Sequence, residues 1–269
     1  MINNIFQHLI LGIIQGIAEW LPISSSGLIT LVMVNFFSIT DLSFILHQAL
    51  FLHLGTFFAA LIYFRKDVAD LLESLFCCQL CKSSNTETKK LLKFLIISTI
   101  ITGVFGILIL NLLMNFDLIL TGKIITFSVS VLLLITGTLQ LSIRNKGLRK
   151  ITHLKNSDSI LAGFAQGLSA MPGLSRSGIT ISTLLLRKFD DTTALKLSFL
   201  MSLPVVFIGN ILLNINQIIF ISMASFIGLI ASFVFGLLTI HTLIKISRKI
   251  NFAWFAIIIA LLMMISVLV

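Results

Sequence analysis

The sequence predicts an all-α polytopic membrane protein with six transmembrane helices and two re-entrant helical hairpins, arranged as an inverted-topology repeat. Composition supports this fold class, because the 269 residues are 57% hydrophobic and only 11% charged, with a mean hydropathy of +1.10. These values exclude an ordinary soluble domain. Two further observations are a series of long apolar stretches and a motif that occurs twice, which indicates a duplicated half-chain.

The six predicted spans are the stretches that reach the length of about 20 apolar residues needed to cross a bilayer. They cover residues 44 to 64, 94 to 113, 118 to 141, 197 to 213, 218 to 243 and 252 to 269. The first Lys or Arg is Arg65, so the N-terminal apolar stretch lacks the basic region of a signal peptide. We therefore expect that stretch to remain in the mature protein.

The repeated motif runs from Gly12 to Gly27 and again from Gly163 to Gly178. Gly, Gln, Gly, Ser, Ser and Gly recur without a gap at a constant offset of 151 residues. Each copy has an apolar run, a break at Pro, Ser and Gly, and a second short apolar run. This pattern favours a helical hairpin that enters the membrane and turns back.

Basic residues set the predicted orientation. Lys and Arg are concentrated in four connections, which we expect on the cytoplasmic side, at residues 65 to 93, 144 to 155, 187 to 196 and 245 to 249. With this rule the first hairpin enters from the outer face and the second from the cytoplasm. The chain is therefore predicted to be one membrane domain of two inverted repeats, about 1–150 and 151–269.

The formal net charge of +9 does not indicate a nucleic-acid partner, because the basic residues lie in short loops between apolar runs. The sequence leaves the oligomeric state open. Cys77, Cys78 and Cys81 share one polar loop without a nearby His, so we interpret them as reduced thiols rather than as a metal or redox site.

Two charged residues stand within the apolar hairpins, Glu19 in the first motif and Arg176 in the second. An isolated charge is costly to bury, so each must face the other, a ligand, or water in a cavity. One interpretation is a structural ion pair that joins the halves. The other is a polar site at the two hairpin breaks.

Serines and glycines surround both charges, just ahead of short apolar runs. Such serines cap helix N-termini, and the N–H groups that remain free form anion-binding nests. Two nests and a guanidinium predict a phosphate site, although the serines also suit a purely capping role. The predicted substrate-binding residues are Gln15, Ser24, Ser26, Gly27, Gln166, Gly173, Ser175, Ser177, Gly178 and Thr180.

These motifs resemble those of the undecaprenyl-diphosphate phosphatases, the membrane phosphatases of bacitracin resistance and cell-wall lipid recycling. The family's Glu-or-Gln-x-x-x-Glu element reads here as Gln15 to Glu19, and its Pro-x-Ser-Ser-x-Gly element as Pro22 to Gly27. The family's Pro-Gly-x-Ser-Arg-Ser-x-x-Thr element reads as Pro172 to Thr180. The likeness covers essentially the whole chain.

The resemblance implies hydrolysis of a long polyprenyl (undecaprenyl) diphosphate to the monophosphate and inorganic phosphate. Glu19, Ser25 and Arg176 are the predicted catalytic residues. Arg176 would hold the phosphates, and Glu19 would act as general base toward Ser25 or water, or hold a Mg²⁺ or Ca²⁺ ion. The rival hypothesis is a polyprenyl-phosphate flippase, because transporters share this architecture.

One position departs from the family pattern, since Leu28 stands where the family has a His thought to activate the nearby Ser or water. His53 lies deep in a predicted span, and we treat it as the candidate accessory base. If the site lacks that partner, Leu28→His is expected to raise phosphate release. The resemblance further implies a bacterial inner-membrane location, with the site open to the outer face.

Overall fold

The computed structural model describes residues 5–21, 23–39, 41–76, 86–115, 122–141, 147–171, 174–214 and 222–246, with short fragments between 254 and 265. Ten α-helices and one 3₁₀ turn at Ile151–His153 form this part of the chain. The helices are α1 Ile5–Ala18, α2 Ser25–Asn35, α3 Leu42–Tyr63, α4 Arg65–Phe76, α5 Thr86–Asn115, α6 Gly122–Leu141, α7 Asn156–Leu168, α8 Arg176–Leu186, α9 Asp191–Asn214 and α10 Met223–Ile246.

Four helices of the described chain are long and apolar enough to cross a membrane. They are Phe44–Tyr63, Thr86–Ile109, Asp191–Leu212 and Met223–Lys245. Four predicted spans coincide with them, the predicted stretch 118 to 141 overlaps α6, and most of 252 to 269 lies outside the described residues. α5 and α9 begin before the predicted spans, because a helix continues through polar turns beyond the apolar stretch.

Each repeated motif forms a pair of short helices with a break between them, α1 and α2 in the first copy and α7 and α8 in the second. The breaks bring the chain out of helical geometry just before Ser24 and Ser175, which are the N-cap residues of α2 and α8. The helix–break–helix pattern predicted for both motifs is therefore present. Pro22, Pro172 and Gly173 lie outside the described residues.

The motif glycines allow close helix packing. α1 packs along α10, and a Cβ on Gly16 would lie 2.8 Å from the backbone nitrogen of Gly236. α7 packs along α5 in the same way, where a Cβ on Gly163 would lie 2.7 Å from the carbonyl oxygen of Ser98. These glycines therefore recur because each hairpin helix packs backbone to backbone against a span from the other half of the chain.

One element, α4, was not predicted, since its residues were interpreted as part of a polar loop. Its sequence is amphipathic, with Leu71 buried and with acidic and basic residues on the exposed side. Lys196 Nζ donates to Asp67 Oδ1 at 2.6 Å, which ties α4 to α9 at the basic side of the molecule. Hydropathy alone missed this helix because its mean hydropathy resembles that of a loop.

A buried carboxylate closes the base of the second hairpin. Asp158, near the start of α7, accepts hydrogen bonds from Arg149 at 2.6 and 3.2 Å and from Arg187 Nε at 2.7 Å. Burial disfavours the charged carboxylate, but the hydrogen bonds from Arg149, Arg187 and the Lys155 N–H outweigh it and lower the pKa of Asp158. The end of α8 is thereby held against the beginning of α7.

We expect Asp158→Ala to lower the free energy of unfolding by about 3 to 5 kcal/mol, because two guanidinium groups lose their buried partner. Asp67→Ala is the control and should cost less than about 1 kcal/mol, since its ion pair is about a third exposed. The Asp158 contribution is present above the ordinary aspartate pKa and is lost as pH falls through the lowered value. Unfolding in mixed micelles at several pH values measures both effects, and equal losses in the two variants would contradict the assignment.

Candidate active site at the two helix breaks

The two helix starts have the same hydrogen bonds. Ser24 Oγ accepts the Gly27 N–H at 3.1 Å, and Ser175 Oγ accepts the Gly178 N–H at 3.0 Å. An α-helix leaves its first N–H groups without partners inside the helix, and these caps use one of them in each copy. The remaining N–H groups at the starts of α2 and α8 have no intrahelical acceptor.

The two breaks contact each other directly. Ser177 Oγ, at the start of α8, donates to the carbonyl oxygen of Leu21 at 2.6 Å. Arg176 Nη2 donates to Glu19 Oε1 and forms an ion pair with it. Residues about 150 positions apart in the sequence therefore form one site, because the breaks of the two motif copies lie side by side.

A cavity of about 340 Å³, counting the part open to solvent, lies between the breaks. Its lining is mainly polar and draws on both copies of the motif and on α3. The lining residues are Glu19, Ile23, Ser24, Ser25, Ser26, His53, Ser169, Leu174, Arg176 and Ser177. A polar cavity inside an otherwise apolar helical molecule is the expected place for a polar ligand.

Glu19 is the centre of the site and is only 5% exposed. Its Oε2 accepts hydrogen bonds from Ser25 Oγ at 2.7 Å and from Gln15 Nε2 at 2.9 Å. A general base accepts a hydrogen bond from the hydroxyl group of its nucleophile, and Glu19 and Ser25 have this arrangement. Gln15, one helical turn earlier, positions this carboxylate and does not line the cavity.

His53 reaches the same carboxylate from α3. Its Nε2 lies 3.1 Å from Glu19 Oε2, and its Nδ1 lies 2.6 Å from the carbonyl oxygen of Ala49. The carbonyl only accepts, so Nδ1 carries a proton, and a further proton must lie between Nε2 and the carboxylate oxygen. The position of His53 thus matches that of a proton-holding partner of Glu19.

Arg176 keeps one nitrogen free for a ligand. Nη2 contacts Glu19, whereas Nη1 is buried and has no hydrogen-bond partner among the described residues. A buried guanidinium nitrogen without an acceptor is costly, which favours an anion in the cavity. The guanidinium also lies 6.0 Å from the ring of Trp20, a distance suited to a cation–π contact.

The charges of the cavity suit an anion. Glu19 contributes one negative charge, Arg176 contributes a positive charge, and the proton between His53 and Glu19 leaves the group with a net positive charge. The N-termini of α2 and α8, each helix 11 residues long, add their positive dipole ends. A phosphate group with two or more oxygens matches these donors.

Several predicted binding residues do not line the cavity. Gln166 Nε2 instead donates to Met201 O at 3.3 Å and to Thr102 Oγ1 at 3.4 Å, which are packing contacts. The N–H groups of Gly27 and Gly178 cap the helices, and Thr180 Oγ1 lies 2.6 Å from Ser198 Oγ. Ser175 caps α8 and is not a lining residue, and Gly173 lies outside the described residues.

Sequence reasoning missed three lining residues, Ile23, Leu174 and Ser169. Ile23 and Leu174 occupy equivalent positions in the two motif copies, and each precedes the capping serine. Ser169 is the counterpart of Ala18, so comparison of the two copies position by position would have exposed it as a polar residue in an apolar place.

The donor set does not suit a cation held by protein side chains alone. Among the described residues no group of three His, Cys, Asp or Glu side chains converges on one point. Both oxygens of Glu19 already have partners in Arg176, His53, Ser25 and Gln15. Mg²⁺ commonly binds through one carboxylate and substrate phosphates, so an ion at Glu19 would depend on the bound phosphates.

We expect His53→Ala to lower phosphate release from a lipid diphosphate about tenfold to a hundredfold, because Glu19 loses its proton-holding partner. Leu28→His tests whether a His at that position would serve the site. From the sequence we expected it to raise phosphate release, but from the structure we expect no rise. Leu28 packs in an apolar cluster with Ala18, Ile23 and Leu133, and it does not line the cavity. A His there adds no group to the site, so a rise in release would contradict this geometry.

Known proteins are similar to this chain over nearly its whole length. Residues 8–265 match the model of the family described as bacitracin resistance protein BacA. An undecaprenyl-diphosphatase from Methanococcoides burtonii is 41% identical over 255 residues, which cover 94% of this chain and 95% of that protein. One from Borrelia recurrentis is 33% identical over 264 residues, 95% of each chain. One from Saccharolobus islandicus is 42% identical over 206 residues, 75% of this chain and 70% of that protein.

Proposed function

We propose that this chain, which belongs to the bacitracin resistance protein BacA family, hydrolyses undecaprenyl diphosphate to undecaprenyl phosphate and inorganic phosphate. The names of its relatives give the substrate and the reaction class. The observation in the structure that supports this function best is the pairing of Ser25 with Glu19 beside the unpartnered nitrogen of Arg176. Together these groups supply a nucleophile, a base and an anion clamp in one cavity.

The cavity holds the diphosphate through donors. Arg176 Nη1 and the free N–H groups at the starts of α2 and α8 bind phosphate oxygens, and they stabilise the charge that spreads over these oxygens in the transition state. Phosphoryl transfer needs mainly positioning and charge neutralisation, and a site built from helix N-termini and a guanidinium supplies both. The two apolar lining residues, Ile23 and Leu174, leave an apolar side for the lipid end of the substrate.

The reaction breaks the bond between the terminal phosphorus and the bridging oxygen. The attacking oxygen gives its proton to Glu19, and the polyprenyl phosphate leaves with the electron pair of the broken bond. The attacking group is Ser25 or a water molecule. Ser25 is the better placed of the two, because its hydroxyl already donates to Glu19 Oε2 at 2.7 Å. A phosphoserine formed at Ser25 would then be hydrolysed by water.

The rival function, a flippase that moves lipid phosphate without cutting it, is not favoured by the comparisons, because the relatives are named as phosphatases. Purified protein in vesicles that contain undecaprenyl diphosphate separates the two functions. Release of inorganic phosphate is the expected result, and addition of magnesium, calcium or a chelator tests the dependence on a cation. Movement of intact lipid without phosphate release would overturn the proposal.

We infer that the chain is one inverted repeat with six spans and two hairpins, and that its site opens to the outer face of the membrane. The packing of the motif helices supports this topology. α1, in the first half of the chain, packs on α10 of the second half, and α7, in the second half, packs on α5 of the first half. We expect Cys77, Cys78 and Cys81 to be shielded from an impermeant thiol reagent in intact cells and to react after permeabilisation. Labelling of these cysteines in intact cells would contradict the topology. A cysteine placed at residue 38 should show the opposite behaviour.

A further inference from the structure

The second hairpin contributes a hydroxyl group that the motif comparison did not assign. Ser169 is the C-cap residue of α7, directly after the helix end, and it lines the same cavity as Glu19 and Arg176. In the first copy of the motif its place is taken by Ala18, which is buried in an apolar cluster. The two copies have therefore diverged here in polarity, as they have at Glu19 and Ala170.

The hydrogen bond of Ser169 fixes which way its hydroxyl points. Ser169 Oγ donates to the carbonyl oxygen of Gln166 at 2.6 Å, so its proton is already used. Within the described part of the chain, no donor contacts the lone pairs of this oxygen. The side chain of Gln166 is in turn held by Thr102 and Met201, which fixes the last turn of α7. Ser169 therefore presents an acceptor to the cavity.

Like the hydroxyl oxygens of Ser25 and Ser177, whose protons go to Glu19 and to the carbonyl oxygen of Leu21, this oxygen can only accept, so it does not suit a phosphate oxygen. It suits a water molecule, because an attacking water has two protons and needs an acceptor for each. Glu19 can take the proton that is transferred in the reaction. The other proton needs a fixed acceptor if the water oxygen is to point its lone pair at the phosphorus.

We propose that Ser169 is a water-positioning residue, which accepts the proton of the attacking water that Glu19 does not take. This proposal rests on the proposed hydrolysis. In the step it serves, the water oxygen forms a bond to phosphorus and one water proton passes to Glu19. The bond from phosphorus to the leaving oxygen breaks, and that oxygen keeps the electron pair. The step is the same whether the leaving oxygen belongs to the lipid phosphate or to Ser25.

Methanol as the attacking molecule distinguishes a water-positioning role of Ser169 from a purely structural one. Methanol has a single hydroxyl proton, so it needs Glu19 but not Ser169 when it attacks in place of water. In Ser169→Ala we expect phosphate release to fall about tenfold, in line with the loss of one hydrogen bond, with KM for the lipid diphosphate unchanged. Formation of methyl phosphate in water–methanol mixtures should change little. The ratio of methyl phosphate to phosphate should therefore rise about tenfold.

Ser202→Ala is the matched control, because Ser202 Oγ donates to Phe199 O with the same spacing of three residues and the same length of 2.6 Å, but Ser202 does not line the cavity. We expect it to leave both products unchanged, and Ser169→Thr to retain the wild-type ratio. An equal fall of both products in Ser169→Ala, or a change in KM alone, would overturn the proposal. Absence of phosphate release from wild-type protein would instead contradict the proposed function itself.

Discussion

Glu19→Gln should reduce phosphate release about a thousandfold or more, which is the largest loss expected for any single substitution in this chain. The amide keeps the shape of the side chain but cannot take the proton of Ser25, which now donates to Glu19 Oε2 at 2.7 Å. The amide also removes the negative charge that repels phosphate, while Arg176 remains. Binding of the lipid diphosphate should therefore be retained or strengthened.

Phosphate release and binding of labelled undecaprenyl diphosphate, measured on the same purified variant, test this expectation. Glu73→Gln is the control, because it makes the same change of side chain on α4, and Glu73 is not among the residues that line the cavity. It should change neither quantity. A Glu19→Gln variant that still releases phosphate at the wild-type rate would contradict the role of Glu19 as general base.

Arg176→Lys should fail nearly as badly as Arg176→Ala, with a loss of phosphate release of about a hundredfold or more. The guanidinium uses Nη2 for Glu19 and leaves Nη1 for a ligand. The ammonium of Lys has all its donors on one nitrogen, so it cannot reproduce the spacing of Nη1 and Nη2 between Glu19 and a phosphate oxygen. Both turnover and KM for the lipid diphosphate are the measurements, since a clamp contributes to binding as well as to the transition state.

The same pair of variants separates the two interpretations of the Glu19–Arg176 contact. If the ion pair only joins the two halves of the chain, Arg176→Lys preserves it and should retain near-normal turnover. If Arg176 also binds phosphate, the Lys variant folds but loses activity. Arg65→Lys, at an exposed position at the start of α4, controls for the change of residue type.

The sequence predicted the parts of the fold that depend on long apolar stretches and on exact repetition. The helix–break–helix units and four of the spans follow from periodicity and from the offset between the motif copies. The cost of burying charge limited the partners of Glu19 and Arg176 to each other, a ligand or water. α4 was missed because a short amphipathic helix has the mean hydropathy of a loop. The early start of α5 was missed because a helix can continue through polar turns beyond the apolar stretch that was used to predict the span.

The site was predicted less completely, because a motif does not say which way a side chain points. Gln15 and Gln166 occupy equivalent positions, yet one holds Glu19 and the other holds α5 and α9 through Thr102 and Met201. His53 could be named only as a candidate, since its contact with Glu19 joins elements that are separated in sequence. The role of Ser169 could be considered only once the structure showed that Ser169 lines the cavity.

The packing of α1 on α10 and of α7 on α5 has a consequence for synthesis on the ribosome. α7 is made after α5 and can dock on it at once, whereas α1 must wait for Gly228 and Gly236 of α10, about 200 residues later. At a translation rate of about 5 to 20 residues per second, the first hairpin waits roughly 10 to 40 seconds for its partner. A chain that stops before α10 carries the Glu19 motif intact but lacks the helix along which α1 packs most extensively, so quality control of truncated chains would act on the half made first.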